Sequence, residues 1–171
     1  MFCLFKRLFN CKSTTEQRGQ ALFELALAQA QLHGKQFFTE LQPTEDTELR
    51  QQRFEVVALF MAALLWRLKQ TPEAADTAQF AYDKMFTSFD RSLREAGVGD
   101  IGVAHRIKKF AQAFHGRLKT YGDALDAGDE KALDKALQHN IKLTDASISG
   151  IAAAAFGWAM ALKAKDVADI K

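Results

Sequence analysis

The residue types and spacings that could carry chemistry concentrate between Asp90 and Tyr121. Gly97-Val98-Gly99-Asp100-Ile101-Gly102 spells GxGxxG, the pattern by which a glycine turn at a helix N-terminus cradles a pyrophosphate. Around it, residues 91–119 hold seven Lys/Arg against two Asp/Glu, a local charge of +5 in a chain whose total is +2. Charge gathered in this way either meets an anionic partner or is consumed in fixed ion pairs. Four histidines (His33, His105, His115, His139) and two cysteines (Cys3, Cys11) complete the groups suited to catalysis or metal binding.

None of these groups is spaced for catalysis. A dinucleotide fingerprint follows a strand and opens a helix inside a βαβ unit. Here a helical pattern precedes it, and Asp100 puts a negative charge where the phosphate would sit. The glycines read instead as a tight helix–helix turn, supplying positive φ and close backbone approach. No histidine has Glu or Asp three residues before it, so the Glu-x-x-His ligands of a di-iron bundle are missing. His105 and His115 are ten apart and do not share a helical face. Cys-x7-Cys confined to the first eleven residues is no metal signature, and reduced thiols are the simplest reading. No catalytic residue, metal or cofactor is expected, and the chain does not read as an enzyme.

The elements that position these residues read as helices. At 171 residues the chain suits one domain, able to bury roughly 70% of its unfolded surface. Alanine is abundant, valine scarce, and prolines number two, which favours helix over strand. Ser13-x-x-Glu16 is a capping box, predicting a first helix from about Thr14 to His33 with Gly34 as its stop. Residues 35–46 read as a short helical turn broken at Pro43. A second helix spans about Thr47 to Lys69; it is uncharged from Val56 to Trp66, hence apolar all round and central. Thr71 and Pro72 open a third helix as N-cap and first-turn proline, ending at Ala96 with Gly97 as a left-handed cap. Asp100 is expected to cap the fourth, which carries the stripe Val103, Ile107, Phe110, Phe114, Leu118, Tyr121, Leu125 as far as Ala127. Gly128 stops it, and Asp129 caps a short fifth helix with Leu133 and Leu137. A last helix covers about Thr144 to Val167. The predicted fold is all-α: a single-domain bundle of about six helices with short connections.

Two segments have a membrane alternative. Residues 146–162, ASISGIAAAAFGWAMAL, are too short and too alanine-rich to span a bilayer, and read as a buried core helix. Their alternative is docking on a membrane or a client, with Gly150, Ala154 and Gly157 allowing close approach. Residues 1–13 form an amphipathic or flexible N-terminal segment ahead of the helical domain, 14–171. Phe2, Phe5 and Phe9 fall on one face beside Leu8, with Lys6, Arg7 and Lys12 elsewhere, a pattern suited to a bilayer interface. A frayed terminus, or phenylalanines packed on the bundle, fits the same pattern. Lys6 and Arg7 interrupt the apolar run and no cleavage site follows, so a secretory signal is not expected.

The charges divide by position. Asp90/Arg94 and Arg91/Glu95 are opposite in sign and one turn apart, which fits a salt-bridged surface. A sharper expectation is that one arginine is partly buried and pins the glycine loop by donating to its carbonyls. Arg106, Lys108, Lys109, Arg117 and Lys119 lie mostly off the apolar stripe and should be exposed. Gly116 inside the fourth helix costs about 1 kcal/mol relative to Ala, so a neighbouring helix is expected to cross there.

Taken together these residues resemble the ubiquinol–cytochrome c chaperone family. The specific match is DRSLREAGVGDIGV (Asp90 to Val103) followed by RIKKFAQAFHGRLKTYGDAL (Arg106 to Leu125). Weaker similarity covers Ala21–Lys69, including Arg53-Phe54-Glu55 and Arg67-Leu68-Lys69, and Phe80–Phe89; beyond Leu125 only Ala132-Leu133, Ala136-Leu137 and Asn140 are recognisable. His115 departs from the family's usual Tyr. The resemblance implies a helical, non-enzymatic assembly chaperone for respiratory complex III. It would bind newly made cytochrome b, or an early assembly intermediate, together with a small partner protein. It would act in the cytoplasm of a bacterium, peripherally on the inner membrane face, with contact to anionic membrane or ribosome and none to DNA. The residues expected to contact a partner or shape that surface are Arg91, Arg94, Asp100, Arg106, Lys109, Phe114 and Arg117. Those expected at the membrane are Phe2, Phe5, Lys6, Arg7 and Phe9. The alternative from another class is a peripheral membrane- or RNA-binding module acting through its basic helix face.

Overall fold

A computed structural model of the chain describes the backbone of residues 2–38, 47–141 and 146–170, and their side chains from residue 14 onward except 146 and 147. Six α-helices and three single 3-10 turns make up the described residues, which contain no strand. The helices are α1 (Phe2–His33), α2 (Thr47–Lys69), α3 (Ala75–Glu95), α4 (Asp100–Ala127), α5 (Glu130–Asn140) and α6 (Ala146–Lys163). The all-α bundle predicted above is the fold found.

Helix α2 is the axis of the bundle. Every residue from Phe54 to Trp66, and Leu68, is buried, and α2 packs against each of the other five helices. A helix without a polar face has no solvent side to choose, so the others wrap it. Across α1 and α3 the backbones come unusually close at Gly19. A Cβ there would sit 2.4 Å from the Phe80 Cβ and 3.0 Å from the Ala81 nitrogen, so only glycine lets the two helices meet.

Several boundaries differ from expectation. Helix α1 is continuous from Phe2, with no break at the Ser13 capping box. Residues 2–18 contain neither Gly nor Pro, and extending an existing helix avoids the cost of nucleation. Pro72 opens a 3-10 turn, Pro72–Ala74, and α3 begins only at Ala75. Thr71 makes no capping bond; its Oγ1 accepts from Arg67 Nη1 at 3.0 Å instead.

Helix α6 ends at Lys163 rather than near Val167. Arg67 of α2 reaches across, donating from Nε to the Leu162 carbonyl (3.0 Å) and from Nη2 to the Lys165 carbonyl (2.8 Å). Carbonyls satisfied by a guanidinium need no further helix. Asp166 then caps a last 3-10 turn, accepting from the Ala168 amide, and Arg18 of α1 donates to the Val167 carbonyl. Helix α6 is also buried on one side only: Ile148, Ile151, Ala152, Ala155, Ala159 and Leu162 are buried, while Gly150 and Gly157 have nothing within 4 Å of a would-be Cβ. The expected break at Pro43 and the start at Thr144 lie outside the described residues.

Candidate functional site

The glycine-rich junction is a helix terminus in a standard geometry. Gly97 has φ of +75°. Its amide donates to the Arg94 carbonyl (2.9 Å) and the Val98 amide to the Leu93 carbonyl (3.0 Å), the paired bonds that close a helix on a left-handed residue. Gly99 is the N-cap of α4 in an extended conformation. Asp100 does not cap: it is the first residue of α4, without a side-chain bond to the helix backbone. Its carboxylate accepts from Arg94 instead, whose Nε also binds Asp90 at 2.6 Å. The hydrogen bond it donates to Asp90, then that to Asp100, raises the Arg94 pKa above its usual value. Arg94 thus ties α3 to α4, through carboxylates and at the surface. The expectation of a partly buried arginine on loop carbonyls is corrected. Arg91 is exposed and pairs with Glu95, at 2.7 Å.

The partly buried arginine is Arg117. It was expected on an exposed basic face, but its side chain keeps only 18% of its surface and meets Glu55, which keeps 0%. Nε donates to one Glu55 oxygen at 2.7 Å and Nη2 to the other at 2.6 Å. Nη1 reaches the Ala113 carbonyl, and the guanidinium lies 5.8 Å from the centre of the Phe54 ring. Gln51 donates a third bond to Glu55, at 2.6 Å. Tyr121 lies beside this group; burial foremost, then the Glu55 charge, pushes its phenol up from the ordinary range. Its oxygen accepts from Asn140 of α5 at 3.0 Å. Polar groups at these depths are tolerated only when satisfied, and here the network fixes α2, α4 and α5 in register.

Charge in 91–119 is therefore mostly neutralised within the chain. Arg91, Arg94, Arg117 and Lys119 are paired with Glu95, Asp90 and Asp100, Glu55, and Asp123. Arg106, Lys108 and Lys109 make no ion pair among the described residues. Arg106 is half-buried, while Lys108 and Lys109 are exposed.

Beside the polar network lies an aromatic layer. Phe54 stacks on Phe110 with centroids 4.5 Å apart, and Phe89 sits edge-on to Phe110 at 5.7 Å. Phe86, Phe114 and Tyr82 continue the layer. Tyr82 also meets His115, hydroxyl to Nε2, at 3.0 Å, so His115 holds a polar partner on α3. Phe114 is fully buried and shapes this layer from inside. Where the layer reaches the surface it walls a cavity of about 240 Å³, with Leu27, Phe38, Phe54, Phe89 and Phe110 inside and Arg50, Arg53 and Ser92 at its edge. Arg53 is held there by donating to the Phe37 carbonyl at 2.6 Å.

Gly116 faces a second, larger cleft between α4 and α5, of about 530 Å³. Among the described residues nothing lies within 4 Å of a would-be Cβ, so none of the described helices crosses there, contrary to expectation. The seven residues singled out in the sequence do not form one surface: Arg91, Arg94 and Asp100 share the α3–α4 junction, Arg106 and Lys109 border a cleft, Phe114 is interior, and Arg117 is partly buried beside the α4–α5 cleft. The side chains of Phe2, Phe5, Lys6, Arg7 and Phe9 lie outside the described residues. Glu55 escaped the sequence reading, although a carboxylate abutting an eleven-residue uncharged run on a helix apolar all round was its signal. Among the described residues no cluster of His, Cys, Asp or Glu is grouped as a metal site needs, and no helix is long and apolar enough to cross a membrane.

Comparison with known proteins bears on these features. The sequence model described as ubiquinol-cytochrome C chaperone matches residues 46–168, from the start of α2 through the Arg67 strap. The crystal structure of the Cbp3 homolog from Brucella abortus is similar over 98% of this chain and 90% of that chain, with 32% identity and a TM-score of 0.72. No protein of curated function matches the chain.

Proposed function

This chain belongs to the ubiquinol-cytochrome C chaperone family, and we propose that it holds newly made cytochrome b, or an early complex III intermediate, at the cytoplasmic membrane face. Its coarse role is that of a complex III assembly chaperone, a task of binding rather than of bond chemistry. The observation that carries the client assignment is the aromatic cavity between α1, α2, α3 and α4. A client made of transmembrane helices offers large apolar side chains, and Phe54, Phe89 and Phe110 form a wall that such a side chain can stack against. Arg50 and Arg53 at the edge suit the polar end of such a segment. The buried Glu55–Arg117 pair gives this wall a rigid backing, which lowers the ordering cost of binding.

Under the same proposal Arg91, Arg94 and Asp100 act by fixing the α3–α4 junction, Phe114 and Arg117 by shaping the wall, and Arg106 and Lys109 at the surface. A small partner protein and the segment carrying Phe2, Phe5, Lys6, Arg7 and Phe9 would hold the chaperone near membrane or ribosome. The test is a photo-crosslinker placed at Ser92 in cells. Crosslinks to newly made cytochrome b from Ser92, and none from Lys165 at the C-terminal strap, are expected. Absence at Ser92, together with normal complex III spectra and ubiquinol oxidation in a deletion strain, would sink the proposal.

A further inference from the structure

Helices α4 and α5 form a hairpin turned at Gly128 and Asp129. The open cleft between them, about 530 Å³, is bordered by Gly116 and Thr120 on one wall and by Ala132, Lys135, Ala136 and His139 on the other. Arg117 and Asn140 also border it, and both are engaged, with Glu55 and Tyr121. Gly116 is interior to α4, where glycine weakens a helix. Its φ is not left-handed, and among the described residues nothing would meet a Cβ there. Neither its backbone nor a described neighbour asks for glycine at that position.

The α5 wall carries charge. Lys131, Lys135 and His139 are exposed and follow one another a turn apart on one side of the helix. None of the three has an ion pair among the described residues. Lys131 and Lys135, like charges at that spacing, weaken their own helix. No acidic side chain borders the cleft among the described residues. Asp134 of α5 turns to α6, accepting from Ser149 Oγ at 3.3 Å, and Asp123 of α4 is held by Lys119 at 2.7 Å.

We propose that this cleft seats a helix of the client, with a carboxylate of that helix toward Lys135 and His139 and its closest approach at Gly116. The proposal rests on the chaperone reading and adds a second contact to the aromatic cavity. Helix axes pack about 8–10 Å apart, as the side chains at the contact allow, and transmembrane helices associate through small residues that let backbones come near. Gly116, Thr120, Ala132 and Ala136 offer such residues on both walls. A small molecule would find no aromatic or enclosed apolar lining here. A phosphate group would answer the bases but make no use of the missing side chain at Gly116. A second copy docked through the same surface would set bases against bases.

The test is made in cells, with a photo-crosslinker at Gln112, exposed and one turn before Gly116 on the same side of α4, and a second strain carrying it at Ser92. Crosslinks from Gln112 to newly made cytochrome b are expected. Gly116→Leu, which fills the cleft, and Lys135→Glu, which reverses its charge, should each reduce them by about 10-fold or more, as loss of a close contact or charge pair implies. Both purified variants should melt no lower than wild type. Should Gly116→Leu fail to fold, Lys135→Glu supplies the same reading from an exposed position. Silence at Gln112, crosslinks there to lipid or to a second copy of this chain in place of the client, or crosslinks that both variants leave unchanged would overturn the proposal. Crosslinks that persist at Ser92 while Gln112 is silent would leave the chaperone reading standing; silence at both, with normal complex III in a deletion strain, would remove the two together.

Discussion

Glu55 and Arg117, 62 positions apart, close a two-armed ion pair between α2 and α4, with the carboxylate wholly out of solvent. Removing one partner strands a buried charge. Arg117→Ala should therefore destabilise the fold by about 3–5 kcal/mol, whereas replacing both residues by apolar ones of similar volume should cost far less. Chemical denaturation of the two single variants and the double variant measures this. Additive losses would show that the two side chains do not act as a pair.

Tyr121 carries the clearest pH signature. Its folded pKa lies above the ordinary value of 10.0, chiefly through burial. Above that pH the unfolded chain gives up the phenolic proton while the folded chain keeps it, so stability present below about pH 10 should fall as pH rises. Tyr121→Phe should flatten this alkaline decline, at the cost of about 1 kcal/mol at neutral pH for the lost Asn140 bond. Denaturant melts across the range of about pH 9 to 11 read both effects.

The glycines should separate cleanly by substitution to alanine. At Gly19 the new Cβ would collide with Phe80 at 2.4 Å, so Gly19→Ala should force α1 and α3 apart and lower the melting temperature sharply. At Gly97 the left-handed backbone makes alanine unfavourable by about 1 kcal/mol. At Gly116 the space is open, and alanine should stabilise the isolated protein by about 0.5–1 kcal/mol. If Gly116→Ala then weakens client capture, the α4–α5 cleft is where a partner comes close; unchanged capture removes that cleft from the binding surface.

Arg94 should behave differently from Arg117 although both bind carboxylates. It is exposed, and solvent screens its pairs with Asp90 and Asp100. Arg94→Ala should leave global melting almost unchanged while speeding amide exchange at Val98 and in the first turn of α4. Exchange at wild-type rates would mean that Gly97 alone sets the junction.

Much of this could be read from composition and spacing because the signals are local. Gly97 and Gly128 end helices where their φ demands it, and the stripe from Val103 to Leu125 faces inward as its period requires. Which charged residues are free was not legible. Spacing puts Arg117 three residues after Phe114 and four before Tyr121, at the edge of the apolar stripe, but cannot say that α2 presents a carboxylate there. The same limit hid the role of Arg67, whose bonds to the Leu162 and Lys165 carbonyls depend on α6 ending beside it. It also misled on Gly116, where a helical glycine suggested a crossing that none of the described helices makes.

The Arg18 bond to the Val167 carbonyl spans 149 positions. It has a consequence in time as well as in space. At a synthesis rate of about 5–20 residues per second, α1 leaves the ribosome on the order of ten seconds before the segment that fastens it exists. Through that interval the Arg67 strap is also missing, and the α2 surface that α6 will cover has no cover. The chaperone is thus itself an exposed apolar nascent chain for a while, and protease sensitivity of ribosome-bound chains stalled before and after Lys165 would date the moment at which it closes.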